Sequence, residues 1–178
     1  VQGDISSQFI TGFMFVLPLL NQDSTLTITK PYESKSYVNL TIQMLAKFGI
    51  EIIETSSNSY LIKGNQHYKA QDVSVEGDFS QLAFFAVLGT LNNALSCSNM
   101  DMSSIQGDKA ILDCIPSFTS NKDTITFTKK QPAPQTIDLS NCPDLGPTLC
   151  VLASFTNGET NIVNAARLRM KESDRILA

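Results

Sequence analysis

The 178 residues are 42% hydrophobic and 17% charged, enough apolar material for one large or two small cores and too much for a disordered chain. Thirteen Lys and Arg against seventeen Asp and Glu leave a net charge of −4, which argues against a sequence-independent grip on nucleic acid or anionic lipid. The longest apolar run, residues 13–20, is broken by Pro18 and is far shorter than the roughly 20 residues a bilayer span needs.

Taken in order, the chain repeats one pattern: a small or acidic polar residue, a long apolar helix, then a short β-rich run. The first copy runs from Ser6-Ser7-Gln8-Phe9 to Leu20, followed by a strand over 24–29 whose alternation and β-branching are strand-like. The second opens at Asp78 and runs to Leu91, followed by 95–99; the third opens at Asp144 and runs to Phe155, followed by 160–163. Each copy carries a second helix start at nearly the same offset, since Ser7 to Lys35, Asp78 to Gln106 and Asp144 to Lys171 span 28, 28 and 27 residues. Paired strands are expected at 51–53 with 60–63 and at 124–128 with 136–138.

The fold class is therefore α/β (α+β), built from repeated β-α-β-α-β-β units. The first helix of each copy is apolar nearly all round, so it is expected inside, covered on several sides, with the sheets outside. Residues 1–75 read as the last repeat of one lobe and 76–178 as the first repeat, and the start of the next, in another. The crossover falls near 74–78, at Gly77. No basic leader or initiator Met opens the chain, and 169–178 stop within a helix-like pattern, so it reads as a piece of a longer protein.

Helix N-termini expose unpaired N–H groups and the positive end of the macrodipole, and polar residues gather there. Ser6 and Ser7 are each N-cap candidates, but with Gln8 they also offer two hydroxyls and an amide suited to phosphate or polyol oxygens. Asp78 and Gln81 have capping-box spacing. Asp144 reads as a cap or a base, the cap being favoured for it alone. Arg167, Arg169, Lys171 and Arg175 place four cations in nine residues, with Glu172 and Asp174 interleaved. A solvated charged face explains such a run; if helical, Lys171 and Arg175 share a side and point at one anion. A Lys beside a carboxylate also suits proton transfer.

His67 has no Cys or acidic neighbour and reads as a surface residue. Cys97, Cys114, Cys142 and Cys150 lack zinc or disulfide-framework spacing and read as buried thiols of a reducing, cytoplasmic protein. Walker, G-x-G-x-x-G, G-x-S-x-G and H-E-x-x-H motifs are absent, so no cofactor and no metal is expected.

Ser6-Ser7-Gln8-Phe9, Glu33-Ser34-Lys35-Ser36-Tyr37, Val75-Glu76-Gly77-Asp78, Gln106-Gly107-Asp108, Pro143-Asp144-Leu145-Gly146-Pro147 and the tract from Arg167 to Arg175 stand in this order along nearly the whole chain. Together they resemble the 5-enolpyruvylshikimate-3-phosphate synthase (3-phosphoshikimate 1-carboxyvinyltransferase) family. The resemblance implies two domains of three β-α-β-α-β-β units each, of which this chain is a central part. It also implies cofactor-free transfer of the enolpyruvyl group of phosphoenolpyruvate to the 5-hydroxyl of shikimate 3-phosphate.

By motif, Ser6, Ser7, Gln8, Ser34 and Tyr37 would bind shikimate 3-phosphate, together with Asp144 and Lys171. Gln8 and Arg175 would contact phosphoenolpyruvate. Asp144 would act as base assisted by Lys171, and Glu172 would carry the proton for the methylene carbon. Binding residues on both sides of Gly77 imply lobes that close on ligand. Ser36 stands where many relatives have Pro, and Arg167 where some place an Asn that binds shikimate. Cations that the family supplies from elsewhere are not in this sequence, so the chain by itself is expected to be inactive and to self-associate through bare faces. The rivals are the sister transferase acting on UDP-N-acetylglucosamine and a non-catalytic phosphate-binding or assembly module.

Overall fold

A computed structural model describes residues 1–178. The chain divides into two compact units, Val1–Ser74 and Val75–Ala178, and no helix is long and apolar enough to cross a membrane.

In the first unit, α1 (Ser7–Val16) starts where Ser6 Oγ accepts the Gln8 N–H at 3.2 Å and ends in a 3₁₀ turn, Leu17–Leu19, at Pro18. β1 (Ser24–Thr27), α2 (Lys35–Lys47), β2 (Ile52–Ser56) and β3 (Ser59–Ile62) follow. The antiparallel sheet has the order β1-β3-β2, with Leu26 and Glu54 both opposite Tyr60. An isolated parallel bridge from Gln2 to Thr29 stands where the repeat calls for an entering strand. One helix stripe covers the sheet: Ile10 and Met14 of α1 with Val38 and Leu45 of α2 pack on Leu26, Ile28, Tyr60 and Ile62.

The second unit repeats the plan. α3 (Phe79–Leu91) leads to β4 (Leu95–Cys97), a 3₁₀ turn at Gly107–Ala110 that continues as α4 (Ile111–Cys114), then β5 (Phe118–Asn121) and β6 (Thr124–Phe127). The sheet order β4-β6-β5 is that of the first unit with each strand in the same role. β7 (Thr136–Asp138) then pairs in parallel with β8 (Asn161–Val163), across α5 (Gly146–Ser154), and opens a further repeat. One core joins these elements, running from Phe79 and Ala83 through Ile125 and Phe127 to Leu139, Leu149 and Leu168.

Three expectations are corrected and one is met. Residues 124–128 do not pair with 136–138; β6 pairs with β5, a strand hidden in sequence by its polar Thr-Ser-Asn, while β7 belongs to the next repeat. The first helices pack on their sheets and keep the bare apolar faces expected of the chain by itself: Phe9, Phe13 and Val16 on α1, and Phe84, Phe85 and Leu88 on α3, are exposed. Of the cysteines, all free, only Cys142 is buried and Cys150 is exposed. Residues 169–178 form no α-helix: a 3₁₀ segment over Ala166–Met170 gives way to turns, with Lys171 in extended backbone. His67 is exposed, as read.

Candidate functional site

The chemistry-bearing residues of the first unit stand at two helix starts. Ser6 is the N-cap of α1, with half-buried Ser7 and exposed Gln8 in the first turn. Ser34, buried and in left-handed backbone at φ 53°, immediately precedes α2, and Tyr37 is half-buried one turn in. Lys35 pins that start to the sheet: its Nζ donates to Glu54 Oε1 at 2.6 Å and to the Ser57 carbonyl at 3.0 Å. The pairing raises the Lys35 ammonium above its ordinary range.

In the second unit two glycines set the geometry. The Gly77 N–H donates to the Asn99 carbonyl at 2.7 Å, and a Cβ there would lie 2.5 Å from that same oxygen. This close approach puts Gln106 against the start of α3, where its Oε1 accepts the Phe79 N–H and its Nε2 donates to the Gly77 carbonyl, both at 2.9 Å. Asp78 caps the same helix through Ser80, whose N–H and Oγ both donate to Oδ1; Gln81 is not the capping partner that its spacing suggested. The Glu-Gly-Asp and Gln-Gly-Asp motifs thus form one clamp, and Asp108 is carried two residues beyond it.

The second glycine is Gly146, whose missing side chain leaves room for Leu168: a Cβ would sit 2.7 Å from Leu168 Cδ1. The C-terminal tract can therefore lie directly on the start of α5. Beyond Leu168 it folds back, the Arg175 N–H reaching the Leu168 carbonyl at 2.9 Å, while Asp174 accepts Arg169 Nη1 at 2.8 Å and the N–H groups of Ile176 and Leu177. Arg167 is buried within this packing.

That fold-back brings four charges together without the helix that the spacing suggested. Lys171 Nζ lies 2.9 Å from Asp144 Oδ1, Arg175 Nη1 lies 3.3 Å from the same oxygen, and Arg175 Nη2 donates to Glu172 Oε2 at 2.7 Å. Asp144 is no helix cap; its carboxylate serves the two cations instead. A hydrogen bond from its own backbone N–H, then Arg175, hold Glu172 below the usual carboxylate range. The four charges cancel, so an incoming carboxylate or phosphate must compete with Asp144 and Glu172 for Lys171 and Arg175. Asp108, not singled out by the sequence as a site residue, is buried beside this cluster and feels the charges of both Asp144 and Lys171.

The fold is that of enolpyruvyl transferases. The structure aligns over 99% of the chain with an EPSP synthase from Acinetobacter baumannii, at a TM-score of 0.75 and 18% identity, covering 42% of that protein. Over 84% of the chain it aligns with the enolpyruvyl transferase NikO from Streptomyces tendae, at a TM-score of 0.66 and 16% identity, covering 37% of it. The family profile of EPSP synthase (3-phosphoshikimate 1-carboxyvinyltransferase) matches residues 1–178, and the chain belongs to that family. Curated relatives named 3-phosphoshikimate 1-carboxyvinyltransferase include one from Clostridium kluyveri, 47% identical over the whole chain, and one from Clostridium acetobutylicum, 51% identical over 99% of it. The chain spans 43% and 42% of their respective lengths.

Proposed function

We propose that the chain is part of an enzyme that transfers the enolpyruvyl group of phosphoenolpyruvate to the 5-hydroxyl of shikimate 3-phosphate with release of phosphate. The observation that carries the reading is the convergence of Lys171 and Arg175 on Asp144 beside Glu172, in a chain of this family. Addition requires a base at the hydroxyl, an acid at the methylene carbon and cations for two polyanions, and these are the groups assembled.

Asp144 takes the hydroxyl proton as the oxygen bonds to the enol carbon, and Lys171 orients its carboxylate. Glu172 is ionised while Arg175 holds it. When Arg175 turns its fork to the carboxylate or phosphate of phosphoenolpyruvate, that hold is lost, the proton affinity of Glu172 rises, and it takes a proton from solvent and passes it to the methylene carbon. Collapse of the resulting tetrahedral adduct returns a proton from the new methyl group to the Glu172 carboxylate as the C–O bond to phosphate breaks. Ser6, Ser7, Gln8, Ser34 and Tyr37 bind shikimate 3-phosphate, and Gln8 also meets phosphoenolpyruvate. Since the chain spans about two fifths of its relatives' length, the 178 residues alone are expected to give no turnover.

The test is phosphate release by the full-length protein from phosphoenolpyruvate with either shikimate 3-phosphate or UDP-N-acetylglucosamine as acceptor. Turnover with the first and none with the second is expected; the reverse would assign the chain to the amino-sugar reaction.

A further inference from the structure

Asp108 is 1% exposed, and neither carboxyl oxygen has a hydrogen-bond partner. Buried carboxylates are ordinarily paired or hydrogen-bonded because the bare charge is costly, so an orphaned one needs a reason. Its backbone is held in place, since the 3₁₀ turn that carries it follows directly on Gln106 of the α3 clamp. The titratable groups that act with it are Asp144, Lys171 and the buried thiol of Cys142. Burial first, then Asp144, push the Asp108 carboxyl up to about 7 against the opposing pull of Lys171, while Asp108 in turn helps raise Cys142.

Lys171 therefore stands within electrostatic reach of two carboxyl groups and is ion-paired with only one, Asp144. We propose that Asp108 is a positioning residue of the Asp144–Lys171 pair, an internal carboxyl whose charge decides how the Lys171 ammonium is shared between the two acids. The inference rests on the reading of Asp144 as the base. A neutral Asp108 leaves Lys171 paired with Asp144. An ionised Asp108 draws Lys171 away and frees the Asp144 carboxylate to meet the substrate hydroxyl. The coupling is reciprocal: once Asp144 has taken a proton it ceases to repel Asp108 and loosens its hold on Lys171.

The test is a carboxyl ¹³C NMR titration of the full-length protein labelled at aspartate, with the Asp108 signal assigned by triple resonance. Asp108 is expected to titrate near neutrality, about one pH unit lower in Asp144→Asn and about one unit higher in Lys171→Met. A midpoint that neither substitution moves overturns the coupling, whatever the enzyme's activity.

Turnover provides the second readout. The pH profile of kcat should show a limb near neutrality that Asp108→Asn abolishes and Asp108→Glu restores; an Asp108→Asn profile of wild-type shape overturns the positioning role. Should Asp108→Asn fail to fold, the two titrations decide. If Asp108 responds as expected while Asp144→Ala keeps full turnover, the coupling stands and the reading of Asp144 as base fails.

Discussion

Gly146→Ala probes the link between packing and chemistry. The added Cβ would lie 2.7 and 3.1 Å from the two Cδ atoms of Leu168 and 3.2 Å from Leu139 Cδ1. Relief to an ordinary contact of roughly 3.5 Å needs a shift of about 0.8 Å. Leu168 and Leu139 are both buried in the core, so part of that shift passes into the backbone of the C-terminal tract. Overpacking costs about 1–3 kcal/mol, offset by roughly 1 kcal/mol gained on replacing a helical Gly by Ala. The net loss is on the order of 1 kcal/mol, a few degrees in Tm.

Function should suffer far more. Lys171 is three residues past Leu168, and its 2.9 Å ion-pair contact with Asp144 would lengthen and turn out of line. Misplacement on the ångström scale costs about 10²-fold in rate. Steady-state kinetics of the full-length protein should therefore show kcat down by about 10–100-fold, with Tm lower by only a few degrees. Leu168→Ala in the same chain removes both Cδ atoms and should restore part of the loss. A Gly146→Ala protein with kcat within about twofold of wild type would refute the reasoning, because the Gly146–Leu168 contact would then not govern Lys171.

Three further outcomes are expected. Gly77→Ala drives a Cβ to within 2.5 Å of the Asn99 carbonyl oxygen, so it should destabilise the second unit by about 3 kcal/mol or more, read by chemical denaturation, whereas Gly12→Ala, with nothing within 4 Å, should not destabilise the first. Because the folded-state pKa of Asp108 is raised, its contribution is fully favourable below pH 4 and is lost as pH rises to about 7; Asp108→Asn should thus gain stability at pH 8 and little at pH 4, on the order of a few kcal/mol apart in urea melts. The 178-residue chain should associate in sedimentation velocity through the groove of about 550 Å³ between α3 and α5, lined by Phe84, Leu88, Val151 and Phe155, and Phe84→Lys with Leu88→Lys should weaken that association; a monomer at all concentrations would contradict it.

Much of the fold was legible because the repeat imposes one period three times. Polar residues ahead of apolar helices at matching offsets located α1, α2, α3 and α5, and alternation located β1, β3 and β6. β5 escaped because its exposed Thr-Ser-Asn carries no apolar alternation; it is a strand by virtue of its pairing with β6. The C-terminal tract misled for the opposite reason. Lys171 and Arg175 have helical spacing, but the backbone is turned by Asp174 and by the return of Arg175 to Leu168, and the two cations meet on Asp144 by that route. Asp108 stood in the quoted Gln106-Gly107-Asp108 motif, but nothing in the sequence marked it as buried or unpartnered, since its burial comes from tertiary packing.

The central claim is that Asp144 is the proton acceptor of an enolpyruvyl transfer. The most direct measurement is kcat of full-length Asp144→Ala beside Asp113→Ala, an exposed aspartate of the same unit that forms no part of the Lys171 and Arg175 cluster. The account predicts a loss of about 10²–10⁴-fold for the first and little change for the second. Equal activity in the two variants would contradict it.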